Sequence, residues 1–190
     1  MGKEQELKKV LKDKMQEDEQ VLWHGKTEAF KLLDGTSGKS IVKKWIISAV
    51  VIGALLALYI GFIEILEPGI IVLLLLVQVF VMATPAMDQK AMDRQEYWIT
   101  NKKVVLTKRE EAFCIELDNM RKYWIVPEDG MKGHHVVMGE DLFKEVGKPL
   151  RGRACHPMTN SETKEVKGLV FYNVSDVEAI DGILRSHIKH

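Results

Sequence analysis

The sequence predicts an α+β membrane protein, in which a two-helix transmembrane hairpin is joined to a small antiparallel β-barrel or sandwich capped by a C-terminal helix. Three patterns indicate this class: two long uncharged runs, a series of short β-prone runs after them, and an amphipathic pattern near the C-terminus. The chain has 190 residues, and its 27 Lys and Arg balance its 27 Asp and Glu. A formal net charge of zero excludes a strongly basic nucleic-acid-binding protein, so no nucleic-acid partner is expected.

Two consecutive runs are long enough to span a bilayer. Residues 45–63 and 68–87 contain no charged side chain. At 1.5 Å per residue each run gives a helix of about 28–30 Å, which matches a hydrocarbon core of about 30 Å. Neither run has a polar stripe that could face water. We therefore predict a transmembrane hairpin over residues 45–87.

The flanks of the hairpin predict its orientation. The link from Glu64 to Glu67 is too short for anything but antiparallel neighbours, and it carries no Lys or Arg. Basic residues cluster on the outer flanks of both runs, so the positive-inside rule places both termini in the cytoplasm. The residues expected to anchor the hairpin at the membrane interface are Lys43, Lys44, Trp45, Lys90 and Arg94.

The predicted spans offer little transport chemistry. Gln78 is the one strongly polar residue near a bilayer midpoint, and a single amide is more typical of helix–helix contact than of a transport site. Both runs lack Asp, Glu, Lys, Arg and His, which argues against a proton- or ion-coupled transporter. A channel would need several copies around a pore.

Two segments precede the hairpin. Residues 1–19 are charged with a narrow apolar stripe, which predicts an amphipathic helix. Residues 20–44 are predicted to form a strand with a turn within Gln20 to Phe30, where the apolar run Val21-Leu22-Trp23 precedes His24-Gly25-Lys26, and then a flexible linker, packing with the cytoplasmic domain. The linker ends in Gly38-Lys39-Ser40, but Leu33 stands where a phosphate-binding loop needs its first glycine, so nucleotide binding is not expected.

The remainder, residues 88–190, is predicted to be a cytoplasmic β domain. Residues 140–167 are polar and are expected to form a loop with a basic centre. Near the C-terminus, Ser175 and Glu178 have the spacing of a capping box, and the apolar residues that follow recur at helical spacing. The predicted strands fall near residues 97–100, 104–106, 112–117, 122–126, 135–138 and 168–172.

The reactive side chains do not form a recognisable catalytic or metal motif. Cys114 and Cys155 are 41 residues apart and make no disulfide framework. Cys155 adjoins His156, but adjacent residues rarely present their side chains to each other, and the histidines lack zinc-ligand spacing. We expect no metal, no cofactor and no enzymatic activity, although a cysteine enzyme stays open as an alternative.

Several motifs around the hairpin carry a family resemblance. Val21-Leu22-Trp23-His24-Gly25-Lys26 precedes the hairpin, and Tyr97 to Val105 follows it with a Tyr-x-Ile-Thr-Asn-basic pattern. Residues 115–117, 133–139 and 171–177 look like later elements of the same pattern. The order resembles the membrane-anchored bacterial pleckstrin-homology (PH)-like domain proteins. The resemblance implies two roughly orthogonal antiparallel sheets capped by a C-terminal helix, in a multi-pass protein of the bacterial cytoplasmic membrane.

These features favour a non-catalytic, membrane-anchored binding or assembly module. We expect it to self-associate as a homo-oligomer or to scaffold a membrane or cytoplasmic protein partner, with the phospholipid bilayer as its constant partner. The alternative is recognition of anionic phospholipid by basic residues of the 144–153 loop and of a hairpin turn. The candidates for lipid binding are Lys102, Lys103, Lys144, Lys148, Arg151 and Arg153.

Overall fold

The computed structural model describes residues 15–16, 18–63, 65–108, 111–139 and 150–188. The helix predicted over residues 1–19 lies almost wholly outside these ranges, as do Lys144 and Lys148.

The described residues form eight strands and four α-helices. A single 3-10 turn, Leu117–Asn119, follows the fourth strand. The helices are α1 (Gly35–Phe62), α2 (Pro68–Met92), α3 (Arg151–Cys155) and α4 (Val177–His187). The strands are β1 (Val21–Lys26), β2 (Gln95–Thr100), β3 (Lys103–Lys108), β4 (Glu111–Glu116), β5 (Tyr123–Pro127), β6 (His134–Met138), β7 (Met158–Thr159) and β8 (Val166–Val174).

The strands make two four-stranded sheets. The first sheet has the order β1-β2-β3-β4, the second has the order β5-β6-β8-β7, and every pairing is antiparallel. The predicted combination of two long apolar helices with antiparallel sheets is therefore confirmed.

The helical hairpin is an insertion within the first sheet. Strand β1 precedes α1 and β2 follows α2, yet the two strands pair directly, with Lys26 opposite Glu96 and His24 opposite Trp98. Because paired strands lie about 4.8 Å apart, the chain leaves the sheet and returns to it at neighbouring positions.

Helices α1 and α2 expose apolar side chains along their length. Phe62 and Phe80 are 81% and 65% exposed. Both helices are long and apolar enough to cross a membrane. A water-soluble protein rarely exposes a contiguous apolar surface of this extent.

The core of the β domain lies between the two sheets and α4. Phe171 of β8 is fully buried, with its ring stacked on Tyr97 of β2 at a centroid distance of 4.6 Å. Helix α4 packs Ile180 and Leu184 into the same core, since these residues share one face of the helix. Helix α4 thus caps the sheets, as the apolar spacing predicts.

Three local predictions are wrong. The linker is not flexible, because α1 begins at Gly35, well before the uncharged run. The expected capping box is absent from α4: Asp176 is the N-cap residue and makes no side-chain cap, while the Ser175 hydroxyl donates to Glu28 at 3.0 Å. The polar 140–167 segment is not all loop, because it contains α3 and β7.

Candidate functional site at the junction of the hairpin and the β domain

A glutamate of the β domain holds the start of α1. One carboxylate oxygen of Glu128, which follows β5, accepts hydrogen bonds from the Thr36 amide, the Thr36 hydroxyl at 2.6 Å and the Ser37 amide at 3.3 Å. The first amides of a helix have no partner within it, and the helix dipole favours a negative charge beside them. Gly35 has φ +70°, and any side chain there would collide with this carboxylate. These contacts explain why the segment before the uncharged run is helical.

His135 of β6 binds the other oxygen of the same carboxylate. Its Nε2 contacts Glu128 Oε2, and its Nδ1 accepts the Asn173 amide proton at 3.0 Å. Because Nδ1 is an acceptor, the proton of the neutral ring lies on Nε2 and is donated to Glu128. Burial alone would raise the pKa of Glu128, but the hydrogen bonds from His135, Thr36 and Ser37 outweigh it and lower the pKa to about 2. Glu128 is therefore ionised at neutral pH.

Asn173 connects three segments behind the histidine. It is fully buried and has φ +51°, a left-handed conformation that asparagine tolerates better than most residues. Its side chain accepts the Gly133 amide proton at 2.8 Å and donates to the Glu28 carbonyl at 2.9 Å. The chain between β1 and α1 is thereby fixed to the second sheet.

Arg151, at the start of α3, ties the same connecting chain to α3. Its guanidinium donates to the Leu32 carbonyl at 2.6 Å and to the Asp34 carbonyl at 3.4 Å, and it lies 4.7 Å from the ring centre of Phe30. The ring of Phe30 in turn meets Tyr172 edge to face at 5.3 Å. The contacts of the Phe30 ring and the hydrogen bonds to the Leu32 and Asp34 carbonyls together fix the residues that precede α1.

Tyr172 lies at the centre of this junction. Its ring stacks on His135 at 4.2 Å, and its side chain is buried. Burial raises the pKa of Tyr172, the Glu128 charge adds to the rise, and nearby Arg151 and Ser37 act against it. We use the term junction cluster for Ser37, Glu128, His135, Arg151, Tyr172 and Asn173.

The four described lipid-binding candidates are not gathered at one surface. Lys102 donates to Gln16 at 2.7 Å and to Asp18 at 2.6 Å, and Lys103 forms an ion pair with Glu19 at 2.9 Å. Arg151 is 4% exposed and belongs to the junction cluster. Arg153 is half-buried on α3, whereas Lys144 and Lys148 lie outside the described residues.

The predicted interface anchors lie at the domain-proximal ends of α1 and α2. Lys43, Lys44, Lys90 and Arg94 are exposed there. Trp45 is half-buried, and its indole nitrogen has no hydrogen-bond partner among the described residues. The same holds for the Gln78 side-chain oxygen within the hairpin.

The two cysteines differ in environment. Cys114 is half-buried in β4, and Cys155 is buried at the end of α3 with its thiol near the Asp88 carbonyl at 3.4 Å. Burial, with Asp88 contributing, raises the pKa of Cys155 to about 12. A thiol with that pKa is almost entirely protonated at neutral pH and is a poor nucleophile. Within the described residues no group of three or more His, Cys, Asp or Glu side chains is placed to hold a metal ion.

A wider cleft lies away from the junction. It has a volume of about 920 Å³ between β4 and the turn that precedes β8. Its basic groups, Lys103, Arg121, Lys164 and Lys167, are offset by Glu116 and Glu165. This mixture of charges along an open cleft defines no single ligand chemistry.

Sequence reasoning missed the junction cluster because each member has an ordinary local role. Glu128 stands in a Pro-Glu-Asp-Gly turn and His135 in an apolar strand, so both fit their elements without a further function. The available signals were the polar His135 and Asn173 within otherwise apolar strands, since buried polar residues require partners.

The junction cluster holds the start of the hairpin against the β domain through hydrogen bonds between their elements. No protein-family model, characterised protein or solved structure matches this chain.

Proposed function

We propose that this protein is a non-catalytic binding and assembly module anchored in a membrane by α1 and α2. The observation that carries the proposal is the insertion of an exposed apolar hairpin between two strands of one sheet. A hydrocarbon environment would cover these side chains, and the hydrogen-bonded helical backbone suits it.

The orientation that we propose has both termini in the bacterial cytoplasm. Lys43, Lys44, Lys90 and Arg94 surround the domain-proximal end of the hairpin, while the described residues of the link carry no Lys or Arg. The pairing of β1 with β2 supports a common side for both flanks, because neither strand can cross a bilayer and still join that sheet.

We also propose that the β domain is PH-like. Two four-stranded antiparallel sheets with a helix after the last strand support this assignment. Fold alone leaves the ligand open, since one fold hosts many functions.

The absence of catalysis is part of the proposal. The raised pKa of Cys155 opposes thiolate formation. Its neighbour His156 is exposed and faces Asp88 at 4.0 Å. This arrangement does not activate a sulfur nucleophile.

Self-association is the assembly that we propose, with β5 as the contact strand. Among the described residues β5 is an edge strand of the second sheet, and its Trp124 is 53% exposed. Edge strands can pair with a second chain, and tryptophan is enriched among residues that dominate interface energies. Confinement to a membrane raises the effective concentration of identical copies.

Cross-linking of the full chain in native membranes, followed by mass measurement, tests this function. We expect a homo-oligomer whose self-association falls about thirtyfold in Trp124→Lys, which corresponds to a loss of about 2 kcal/mol. Leu22→Lys is the matched control, because Leu22 is 40% exposed on β1, an edge strand of the other sheet. A strict monomer that captures no partner, or equal losses in both variants, contradicts the proposal.

Lipid recognition through the basic loop is less favoured by the described residues. Lys102 and Lys103 are neutralised by Asp18 and Glu19, so their charges are not free to attract an anionic surface.

A further inference from the structure

Each sheet of the β domain has an outer apolar cluster on the face that points away from the central core. On the second sheet this outer cluster contains Val137, and α3 covers it with Ala154 and Cys155. On the first sheet the outer cluster contains Trp98 and Val105, which are 5% and 0% exposed. Both outer faces are therefore shielded from water, and each needs a covering layer.

Burial on the outer face of the first sheet exceeds what the sheet itself provides. Val105 and Thr107 of β3 are both 0% exposed. Their partners in β4 are Cys114 and Ala112, whose side chains are too short to fold over the neighbouring strand. The cover of β3 must therefore come from above the sheet.

The described residues supply only part of that cover. His24 of β1 stacks on Trp98 of β2 at 3.7 Å, so it shields the β1 side of the face. Met15 packs on the outer cluster, and it is the one described member of that cluster that lies outside the sheet. A single methionine side chain is too small to bury β3 along its length.

The chain that precedes β1 crosses this face in a defined direction. At the turn between β2 and β3, Glu19 accepts a hydrogen bond from the Thr100 hydroxyl at 2.6 Å and pairs with Lys103 at 2.9 Å. Met15 lies one row of side chains farther along the same strands, against the outer cluster. Residues 1–14 are therefore attached to the chain at a point above the sheet.

We propose that residues 1–14 dock as an amphipathic helix on the outer face of the first sheet and complete its cover. Leu7, Val10 and Leu11 continue, at helical spacing, the apolar stripe that ends at Met15. Fourteen helical residues are about 21 Å long, which matches the length of about 20 Å of the six-residue strands β2 and β3.

The first sheet thereby has a helix-binding surface whose ligand is part of the same chain. This inference goes beyond the proposed membrane anchoring and does not depend on it. An amphipathic segment beside a membrane has two other places to bind, the bilayer surface and a second copy of the chain. The burial of β3 and the position of Met15 favour the segment's own sheet.

Thiol labelling of the full chain in detergent tests the docking. Cys114 lies on the face in question and Cys155 lies in the outer cluster of the second sheet, so mass spectrometry of the labelled peptides reports the two sheets separately. We expect Cys114 to be labelled at least tenfold faster in a chain that lacks residues 1–14 and in Leu11→Lys, while Cys155 remains slow. Gln5→Lys is the matched control, because it adds the same charge on the polar side of the predicted helix and should react like the wild type.

Two labelling results contradict the proposal. An unchanged rate at Cys114 in both the truncated chain and Leu11→Lys would show that the face is covered without this segment. An equal acceleration at Cys114 and Cys155 would show that the segment supports the whole domain and does not act as the cover of one face.

A cross-link identifies which chain supplies the helix. Residue 11 lies one helical turn before Met15, which packs on the same cluster as Cys114. In Leu11→Cys, a short bismaleimide is expected to join the introduced thiol to Cys114 of the same chain, giving a product of monomer mass on a denaturing gel. A cross-linked dimer would place the segment on a second copy, and the lack of any cross-link to Cys114 would place it away from this face. Either result overturns the proposal.

Discussion

The hairpin exposes most of its large apolar side chains, whereas the β domain buries most of them. In the β domain, Phe171 and Tyr97 are fully buried, whereas Phe80 in α2 is 65% exposed. Among the described residues outside 35–92, the exposed large apolar side chains are Val21, Leu22, Leu33 and Trp124.

This difference shows that the two regions are built for different surroundings. Water drives the burial of the domain core, while the hairpin has almost no buried face, and the membrane that we propose around it would cover its apolar side chains. The junction cluster lies between the two regions, and it combines hydrogen bonds and charge with the stacking of Tyr172 on His135. The following substitutions test this contrast.

The largest effect is expected from truncating the same residue type in the two regions. Phe171→Ala removes a ring that stacks on Tyr97 and is fully buried, so we expect the free energy of unfolding of the domain to fall by about 3–5 kcal/mol. Phe80→Ala should change it by less than about 0.5 kcal/mol. Denaturant unfolding in detergent, followed by tryptophan fluorescence, measures both. Similar losses would show that the hairpin face is packed within the protein.

A smaller loss of stability is expected from a substitution in the junction cluster. In Glu128→Gln one side-chain oxygen is replaced by an amide group, which faces the Nε2 proton of His135, and the charge at the start of α1 is lost. We expect a loss of about 1.5–3 kcal/mol, typical of hydrogen bonds to charged groups. Asp129→Asn, at an exposed neighbour, is the control.

The same substitution has a predicted pH signature. The pKa of Glu128 is lowered in the folded state from its ordinary 4.5 to about 2, so its contribution is present above pH about 4.5 and is lost as the pH falls towards 2. Between pH about 4.5 and 2, the free energy of unfolding should therefore fall more steeply with falling pH in the wild type than in Glu128→Gln. Parallel profiles would mean that Glu128 is not ionised at the junction.

The smallest effect is expected when one tyrosine hydroxyl is removed from each region. The Tyr123 hydroxyl bonds Asp181 at 2.6 Å and ties β5 to α4, whereas the Tyr59 hydroxyl accepts the Glu67 amide at 2.8 Å at the far end of the hairpin. We expect Tyr123→Phe to lower the stability of the domain by about 0.5–1.5 kcal/mol. Tyr59→Phe should leave it unchanged. Thermal unfolding of the two variants in the same detergent measures these effects. An equal shift of the unfolding temperature in both would contradict the expected difference between the two regions.

The hairpin and the main strands were predictable because their signals are periodic and local. The uncharged runs indicate α1 and α2, and alternating β-prone residues indicate the strands. The early start of α1 was not predictable, because it depends on Glu128, which lies 92 residues after Thr36 in the chain. Ser175 was misassigned for a similar reason, since its hydroxyl donates a hydrogen bond to Glu28, 147 residues earlier.

The candidate site was less predictable than the fold. Arg151 was selected for its charge in a basic loop, but its importance lies in burial at the junction, and no local pattern encodes the carbonyls of Leu32 and Asp34 as its partners. Such sites arise from contacts between distant segments, whereas sequence periodicity reports near neighbours.

The pairing of β1 with β2 also imposes an order on biosynthesis. Lys26 of β1 pairs with Glu96 of β2, so the first sheet can form only after Glu96, 70 residues later, has been synthesised. At about 5–20 residues per second, β1 remains without its partner for about 4–14 s. During that interval the whole hairpin is synthesised before β1 and β2 can pair. Under the proposed anchoring, the hairpin can therefore enter the membrane before the first sheet closes.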